Sequence, residues 1–124
     1  MIFRAKSEVK CVEWGNGLSY RFLLAPDQMG FTLAHTVVRA GSKSNLQYRR
    51  HLEACYCIAG RGQVVAADGT TYDLEPGVLY ALDQHDRHFL VAAPDDDLEL
   101  ISVFNPPLQG DERHQLDASE FSQY

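Results

Sequence analysis

Leu52-Glu53-Ala54-Cys55-Tyr56-Cys57-Ile58-Ala59-Gly60-Arg61-Gly62-Gln63-Val64-Val65-Ala66-Ala67-Asp68-Gly69-Thr70-Thr71-Tyr72-Asp73-Leu74 holds three short extended runs divided by turns. Residues 53–59 and 63–67 are rich in residues that favour a pleated, half-buried surface. Gly60-Arg61-Gly62 separates them, and Asp68-Gly69 stands between residues 63–67 and 70–74 as a hairpin signal. A side chain two positions along a strand returns to the same face, so Glu53, Cys55 and Cys57 share one side.

The period near two continues outward from this segment. Residues 19–24, 31–40, 78–82, 88–93 and 98–104 read as further strands. Between them lie Pro26-Asp27, Ala40-Gly41-Ser42, Glu75-Pro76-Gly77 and Pro94-Asp95-Asp96-Asp97. Only residues 109–121 have a composition suited to a helix, and Pro106-Pro107 limits where it can begin. Many short strands at regular spacing predict one all-β domain over residues 1–124, a sandwich or small barrel. One face of the 31–40 strand carries Thr32, Ala34, Thr36, Val38 and Ala40, all small. Turned inward, that face leaves room for a cavity; packed on a second sheet, it does not.

Composition narrows the function. The 124 residues include 45% hydrophobic and 23% charged, ordinary for a globular domain, which excludes disorder over most of the length. With 11 Lys+Arg against 17 Asp+Glu, the net charge is -6, and there is no basic surplus for tracking nucleic-acid phosphates. The longest apolar run, residues 54–59, is too short to cross a bilayer. Residues 1–6 lack the apolar core of a secretory signal, and three cysteines cannot all pair within one chain. The expectation is a cytoplasmic protein with reduced thiols, acting on neither membrane nor nucleic acid.

Gly41, Glu53 and Gly60 stand at spacings that resemble the first motif of the cupin superfamily. The two histidines of that motif would fall on Gln47 and Arg49, or on Leu46 and Tyr48. After Pro76-Gly77, the position of the second motif's histidine holds Tyr80. The three-histidine cupin metal site is absent, so any metal needs other ligands. Taken singly, each candidate has a bland reading: Glu53 a solvated carboxylate, Tyr80 a half-buried ring, His85 and His88 structural, Cys55 and Cys57 small buried hydrophobes.

Their combination is more specific. Asn45 to Gly62, Pro76-Gly77-Val78-Leu79-Tyr80-Ala81-Leu82-Asp83-Gln84-His85-Asp86-Arg87-His88 and Val103-Phe104-Asn105-Pro106-Pro107-Leu108-Gln109-Gly110 resemble ectoine synthases, small cupins. Arg21-Phe22-Leu23-Leu24, Met29-Gly30-Phe31, Glu112 and His114 are similar too. The resemblance implies a cupin-type β-barrel (jelly-roll) with a short helical or irregular C-terminal segment. It implies Fe(II) held by Glu53, Tyr80 and His88, a hard-to-borderline donor set that leaves positions open. The activity implied is an iron-dependent cyclising hydro-lyase, closing N-γ-acetyl-L-2,4-diaminobutyrate to ectoine with loss of water. Arg21, Thr36, Tyr48 and Phe104 then face the substrate, and Tyr48, Glu112 and His114 are the candidates for moving protons. A homodimer and a role as supplier of a compatible solute in osmotic stress also follow from the resemblance. An uncovered edge near Ile2–Ala5 points to a dimer as well.

Departures leave two alternatives: a paralogous cupin acting on another small amino-acid amide, or a non-catalytic cupin that only binds a small ligand. A family Trp is Gly17 here, with Trp14 three residues earlier; a family Cys is Ser102; a family Asp-Thr reads His35-Thr36; the C-terminal tail is shorter than usual. Unless Trp14 fills the gap, an aromatic wall missing at Gly17 predicts lowered activity, and Gly17→Trp is then expected to raise it.

Overall fold

The fold is taken from a computed structural model, which describes residues 1–114 and the backbone of 122–123. Eleven strands run β1 (Lys10–Glu13), β2 (Gly17–Leu23), β3 (Thr32–Val38), β4 (Lys43–Gln47), β5 (Leu52–Ala59), β6 (Gly62–Ala66), β7 (Thr71–Leu74), β8 (Leu79–Leu82), β9 (His88–Ala92), β10 (Leu98–Asn105) and β11 (Ser122–Gln123). One sheet has the order β1-β2-β3-β10-β5-β8, the other β11-β4-β9-β6-β7. Every described pairing is antiparallel except β11 with β4. The chain adopts the all-β architecture read from the alternation, of the jelly-roll type that the resemblance implies.

The two sheets pack through the faces that the alternation marks as apolar. On β10, Leu98, Leu100, Ser102 and Phe104 are buried and the intervening residues are not. On β5, Glu53, Cys55 and Cys57 turn inward while Leu52, Tyr56 and Ile58 stay exposed. Val38, Leu46, Val64, Leu74 and Leu90 join Leu98 and Leu100 in the main cluster, which both sheets supply. Each fully buried leucine contributes about 1.5–3 kcal/mol, so this cluster holds the sheets face to face.

The Asp68-Gly69 hairpin forms as read. Ala66 N–H donates to Thr70 O at 2.8 Å, and Gly69 N–H donates to Ala66 O at 2.9 Å. Gly69 takes φ +90°, and the Asp68 carboxylate accepts from Thr70 N–H at 2.9 Å. β7 ends one sheet and β8 the other, and a groove of about 660 Å³ opens between them. The barrel is therefore not closed along that seam.

Three strands escaped the sequence reading, β1, β4 and the two-residue β11, and two expectations need correcting. β1 buries no residue fully and β4 turns Ser44 inward beside Leu46, so neither shows apolar alternation. Residues 1–5 form no strand. Arg4 instead donates to Phe22 O at 2.7 Å and bridges the Asp27 carboxylate at 2.6 Å, which takes this segment out of any ladder. Residues 109–114 are irregular rather than helical, because their backbone groups bond outside the segment: Arg21 takes the Gly110 and Glu112 carbonyls, and His114 N–H goes to Trp14 O. The remainder of the expected helix, 115–121, lies outside the described residues. All three cysteines are free thiols.

Candidate active site

The small-residue face of β3 does turn inward. Thr32, Ala34 and Val38 are fully buried, and Thr36 lines an interior cavity with Trp14, Tyr48, Glu53, Tyr80 and Phe104. The space left is about 20 Å³, room for one water. Three strands converge on it by register. Cys55 pairs with Tyr80 and Glu53 with Leu82 between β5 and β8, while Cys55 also faces Ser102 on β10.

Glu53 is 7% exposed, and no Lys or Arg pairs with it among the described residues. Burial pushes its carboxyl up to about 8, and a hydrogen bond from the Cys55 thiol offsets only part of that. Tyr80 is half-buried as a residue, but its hydroxyl lies on the inner side; burial, then the neighbouring Cys55 and Glu53, push it far above the phenol range. His88 is 1% exposed and burial lowers its pKa, so the ring is neutral. Its Nδ1 lies 3.0 Å from the Asp86 carbonyl oxygen, which can only accept, so Nδ1 carries the proton and Nε2 the lone pair. That Nε2 is buried with no hydrogen-bond partner. The Tyr80 and His88 rings stand 6.3 Å apart.

A buried carboxyl without a cation, a buried phenol and an orphaned imidazole lone pair are the donor set a divalent ion requires. A cation among them favours the charged forms that burial penalises. No three His, Cys, Asp or Glu side chains group to hold a metal among the described residues. Any three-donor protein site here therefore has to recruit a tyrosine.

Tyr48 closes one end of the cavity. Its hydroxyl lies 3.1 Å from His114 Nε2, and its ring meets Phe104 edge-on at 5.2 Å. His114 is 2% exposed and lies behind Tyr48, edge-on to Trp14 at 6.1 Å. Leu108, fully buried, packs with Tyr48, Leu82 and Phe104, so residues 106–114 form the lid of this end.

Four sequence-read site residues lie off this lining: His88, on the groove between β7 and β8, His114, behind Tyr48, and Arg21 and Glu112. Arg21 is buried but outside the cavity lining; it donates to Gly110 O at 2.9 Å, Glu112 O at 2.6 Å and Ser19 Oγ at 3.2 Å. The Glu112 carboxylate accepts from the backbone N–H groups of Gln109 and Gly110, both at 2.8 Å. Those bonds and Arg21 hold it below the ordinary range despite partial burial. Both side chains fasten the lid.

The expected gap at Gly17 is absent. Trp14 is 4% exposed, lines the cavity and donates Nε1–H to Val37 O at 3.0 Å. A Cβ on Gly17 would lie 1.9 Å from that same carbonyl oxygen. The wall is built from Trp14, and position 17 has room for glycine only. Ser102 and Cys55, both on the lining, were passed over as a departure and a small hydrophobe. Their shared parity with Glu53 and Phe104 was the available signal.

A family model described as ectoine synthase matches residues 1–122. The L-ectoine synthase of Wolinella succinogenes is 48% identical over 101 residues, covering 81% of this chain and 76% of that protein. The Bordetella avium L-ectoine synthase is 45% identical over 111 residues, 89% of this chain and 81% of that protein. The crystal structure of ectoine synthase from P. lautus superposes with a TM-score of 0.83 at 38% identity, covering 89% of this chain and 81% of that one. The polyketide cyclase RemF, at 20% identity and a TM-score of 0.70, shares the fold. With the family model matched over residues 1–122 and up to 48% identity to its members across four-fifths of the sequence, the chain belongs to the ectoine synthase family.

Proposed function

We propose that this enzyme of the ectoine synthase type closes the ring of N-γ-acetyl-L-2,4-diaminobutyrate in its interior cavity, with loss of water. The observation that carries the reading is a group of three buried donors: Glu53, ion-paired to no Lys or Arg among the described residues, Tyr80 on the same cavity, and His88, whose ring stands 6.3 Å from that of Tyr80 and whose Nε2 is without a hydrogen-bond partner. These three residues would hold Fe(II), which supplies Lewis-acid polarisation of an amide carbonyl.

The remaining chemistry belongs to side chains. The free α-amine attacks the amide carbon; two protons in all must leave nitrogen, and the carbonyl oxygen must take two to depart as water. Tyr48 presents the cavity hydroxyl that is backed by a titratable partner, His114 at 3.1 Å. It passes each proton in turn from nitrogen to the departing oxygen, and His114 restores its charge state. Trp14 and Phe104 bound the cavity with apolar faces, and Thr36 offers a hydroxyl to the substrate. Holding both ends of one molecule in this space supplies rate through proximity. Arg21 and Glu112 act on the lid rather than on the substrate.

A space for one water is far below the usual ligand pocket of about 300–1,000 Å³. Substrate entry therefore displaces part of the wall, and residues 106–114, held largely by polar contacts, are the part that yields. We assign the protein to the cytoplasm as a homodimer serving osmotic protection. Exposed Leu52, Tyr56, Ile58 and Leu79 on neighbouring β5 and β8 support a dimer through this face.

The test is anaerobic incubation with Fe(II) and N-γ-acetyl-L-2,4-diaminobutyrate, the product followed by chromatography. Ectoine is expected from the wild type and not from Glu53→Ala, Tyr80→Phe or His88→Ala, whose iron content also falls. Turnover of a different amide instead selects the paralogous reading, and binding without turnover the non-catalytic one.

A further inference from the structure

Cys55 is 1% exposed and belongs to the apolar core cluster, yet it lines the interior cavity together with Glu53, Tyr80 and Ser102. Its sulfur lies 3.5 Å from Ser102 Oγ, and Ser102 Oγ lies 2.9 Å from Thr36 Oγ1. Glu53, two positions back along β5, and Tyr80, on the facing strand β8, line the same small cavity as the thiol. The register explains the cluster, since Cys55 pairs with Tyr80 on one side and with Ser102 on the other. A buried thiol that acts as a small hydrophobe has no such set of partners.

One direction of donation would serve the whole group: Thr36 O–H to Ser102, Ser102 O–H to the Cys55 sulfur, and Cys55 S–H toward the Glu53 carboxyl. Tyr80 stands opposite Cys55 in the β5–β8 ladder. A carboxyl and a phenol on different strands thus flank one sulfur, which Ser102 holds from behind with Thr36 in turn on Ser102.

We propose that Cys55 is a positioning residue: its thiol, oriented by Ser102 and Thr36, fixes the Glu53 carboxyl and the Tyr80 hydroxyl in the arrangement that binds the metal. This rests on the reading of Glu53, Tyr80 and His88 as the metal donors. Partners behind a ligand typically change metal affinity by about 10–100-fold when removed. Cys55→Val keeps the approximate volume and deletes the polar atom; Cys55→Ser keeps a donor.

The test loads wild type, Cys55→Val, Cys55→Ser, Ser102→Ala and Tyr80→Phe with Fe(II) anaerobically, measures the dissociation constant, then oxidises the iron with ferricyanide. A phenolate bound to ferric iron gives a visible charge-transfer band, which reads the coordination of Tyr80 directly. Expected results are a band in the wild type, none in Tyr80→Phe, and a shifted band with about 10-fold or greater loss of iron affinity in Cys55→Val. Cys55→Ser is expected to restore both to within about threefold, and Ser102→Ala to fall between. A wild-type band and wild-type affinity in folded Cys55→Val overturn the proposal. Should Cys55→Val fail to fold, an unchanged band and affinity in Ser102→Ala overturn it equally. A wild type that binds iron without any phenolate band overturns the ligand assignment itself, and this inference with it.

Discussion

Replacing Gly17 by alanine places a methyl group where a backbone oxygen already stands. The added Cβ would lie 1.9 Å from Val37 O and 2.8 Å from Val37 C, whereas real Cβ contacts essentially never fall below 3.0 Å. Val37 sits inside β3, between the ladders to β2 and β10, so its carbonyl cannot retreat without disturbing both. The same oxygen accepts the Trp14 Nε1–H bond at 3.0 Å. Overpacking of this kind costs about 1–3 kcal/mol, and a buried indole N–H left without its acceptor costs about 1–3 kcal/mol more. A total near 4 kcal/mol is a large part of the stability of a domain this size. It lowers Tm by on the order of 15 °C. Urea unfolding followed by tryptophan fluorescence measures it, and the chain's single tryptophan is the reporter at the site. Gly77→Ala is the control, because its Cβ would meet nothing within 4 Å and only the φ of +98° opposes it, at about 1 kcal/mol. Gly17→Trp, expected from sequence to improve the enzyme, is now expected to destabilise it at least as much and to lower ectoine formation. Gly17→Ala no less stable than Gly77→Ala, with the Trp14 emission unshifted, would refute the reasoning.

Four other outcomes follow from the geometry. In the metal-free protein the Glu53 carboxyl binds its proton more tightly folded (about 8) than unfolded (4.5), so stability is highest below pH 4.5 and falls as pH rises toward 8. The loss is on the order of 5 kcal/mol at most, and Glu53→Gln flattens this limb in chemical denaturation measured from pH 5 to 8. Asp27 behaves oppositely: Arg4 and the Leu24 N–H hold it at about 2, so its contribution is present above the ordinary 3.8 and is lost as pH falls through 2; Asp27→Asn should make acid unfolding less steep there. Arg21→Ala frees the Gly110 and Glu112 carbonyls, and limited proteolysis of the substrate-free protein should cut within 106–114 faster than in the wild type, an effect that loss of a substrate clamp would not produce. Tyr48→Phe should lower kcat by about 10²-fold or more with KM and iron content little changed; a change confined to KM would reassign Tyr48 to binding.

Parity made the strands legible before any coordinates, and the resemblance supplied most of the site. A strand's period of two says which side chains share a face, so Thr36 joins the small face of β3 and Glu53 joins Cys55 from the chain alone, while Tyr80, His88 and Phe104 came from the resemblance. It also gave β2, β3 and β5 to β10 to within two residues. Parity fails where burial does not follow polarity. β1 and β4 pair through their backbones while presenting Lys10, Glu13 and Lys43 outward and Ser44 inward, which leaves no apolar rhythm to read. Nor does parity say what an inward side chain touches. Arg21 is inward on β2 as expected, but its partners are carbonyls 89 and 91 residues away, in a segment with no regular structure.

The polar interior shows why the family resemblance was needed to interpret the site, and where it misled. A face that places Glu53, Cys55, Tyr80 and His88 in one core works against stability unless something charged compensates. Alternation can detect that conflict but cannot name the compensating group. The resemblance names a metal, and the orphaned His88 Nε2 is an independent physical sign of the same need. Residue-by-residue transfer could not foresee the surroundings of Gly17 or Arg21, because both depend on backbone atoms, the Val37 carbonyl in one case and those of Gly110 and Glu112 in the other. Backbone positions are set by the whole chain and leave no trace at the aligned residue. Trp14 could therefore take over the wall from a different point in the sequence, provided that Gly17 let the strand pass close enough for the indole to reach Val37.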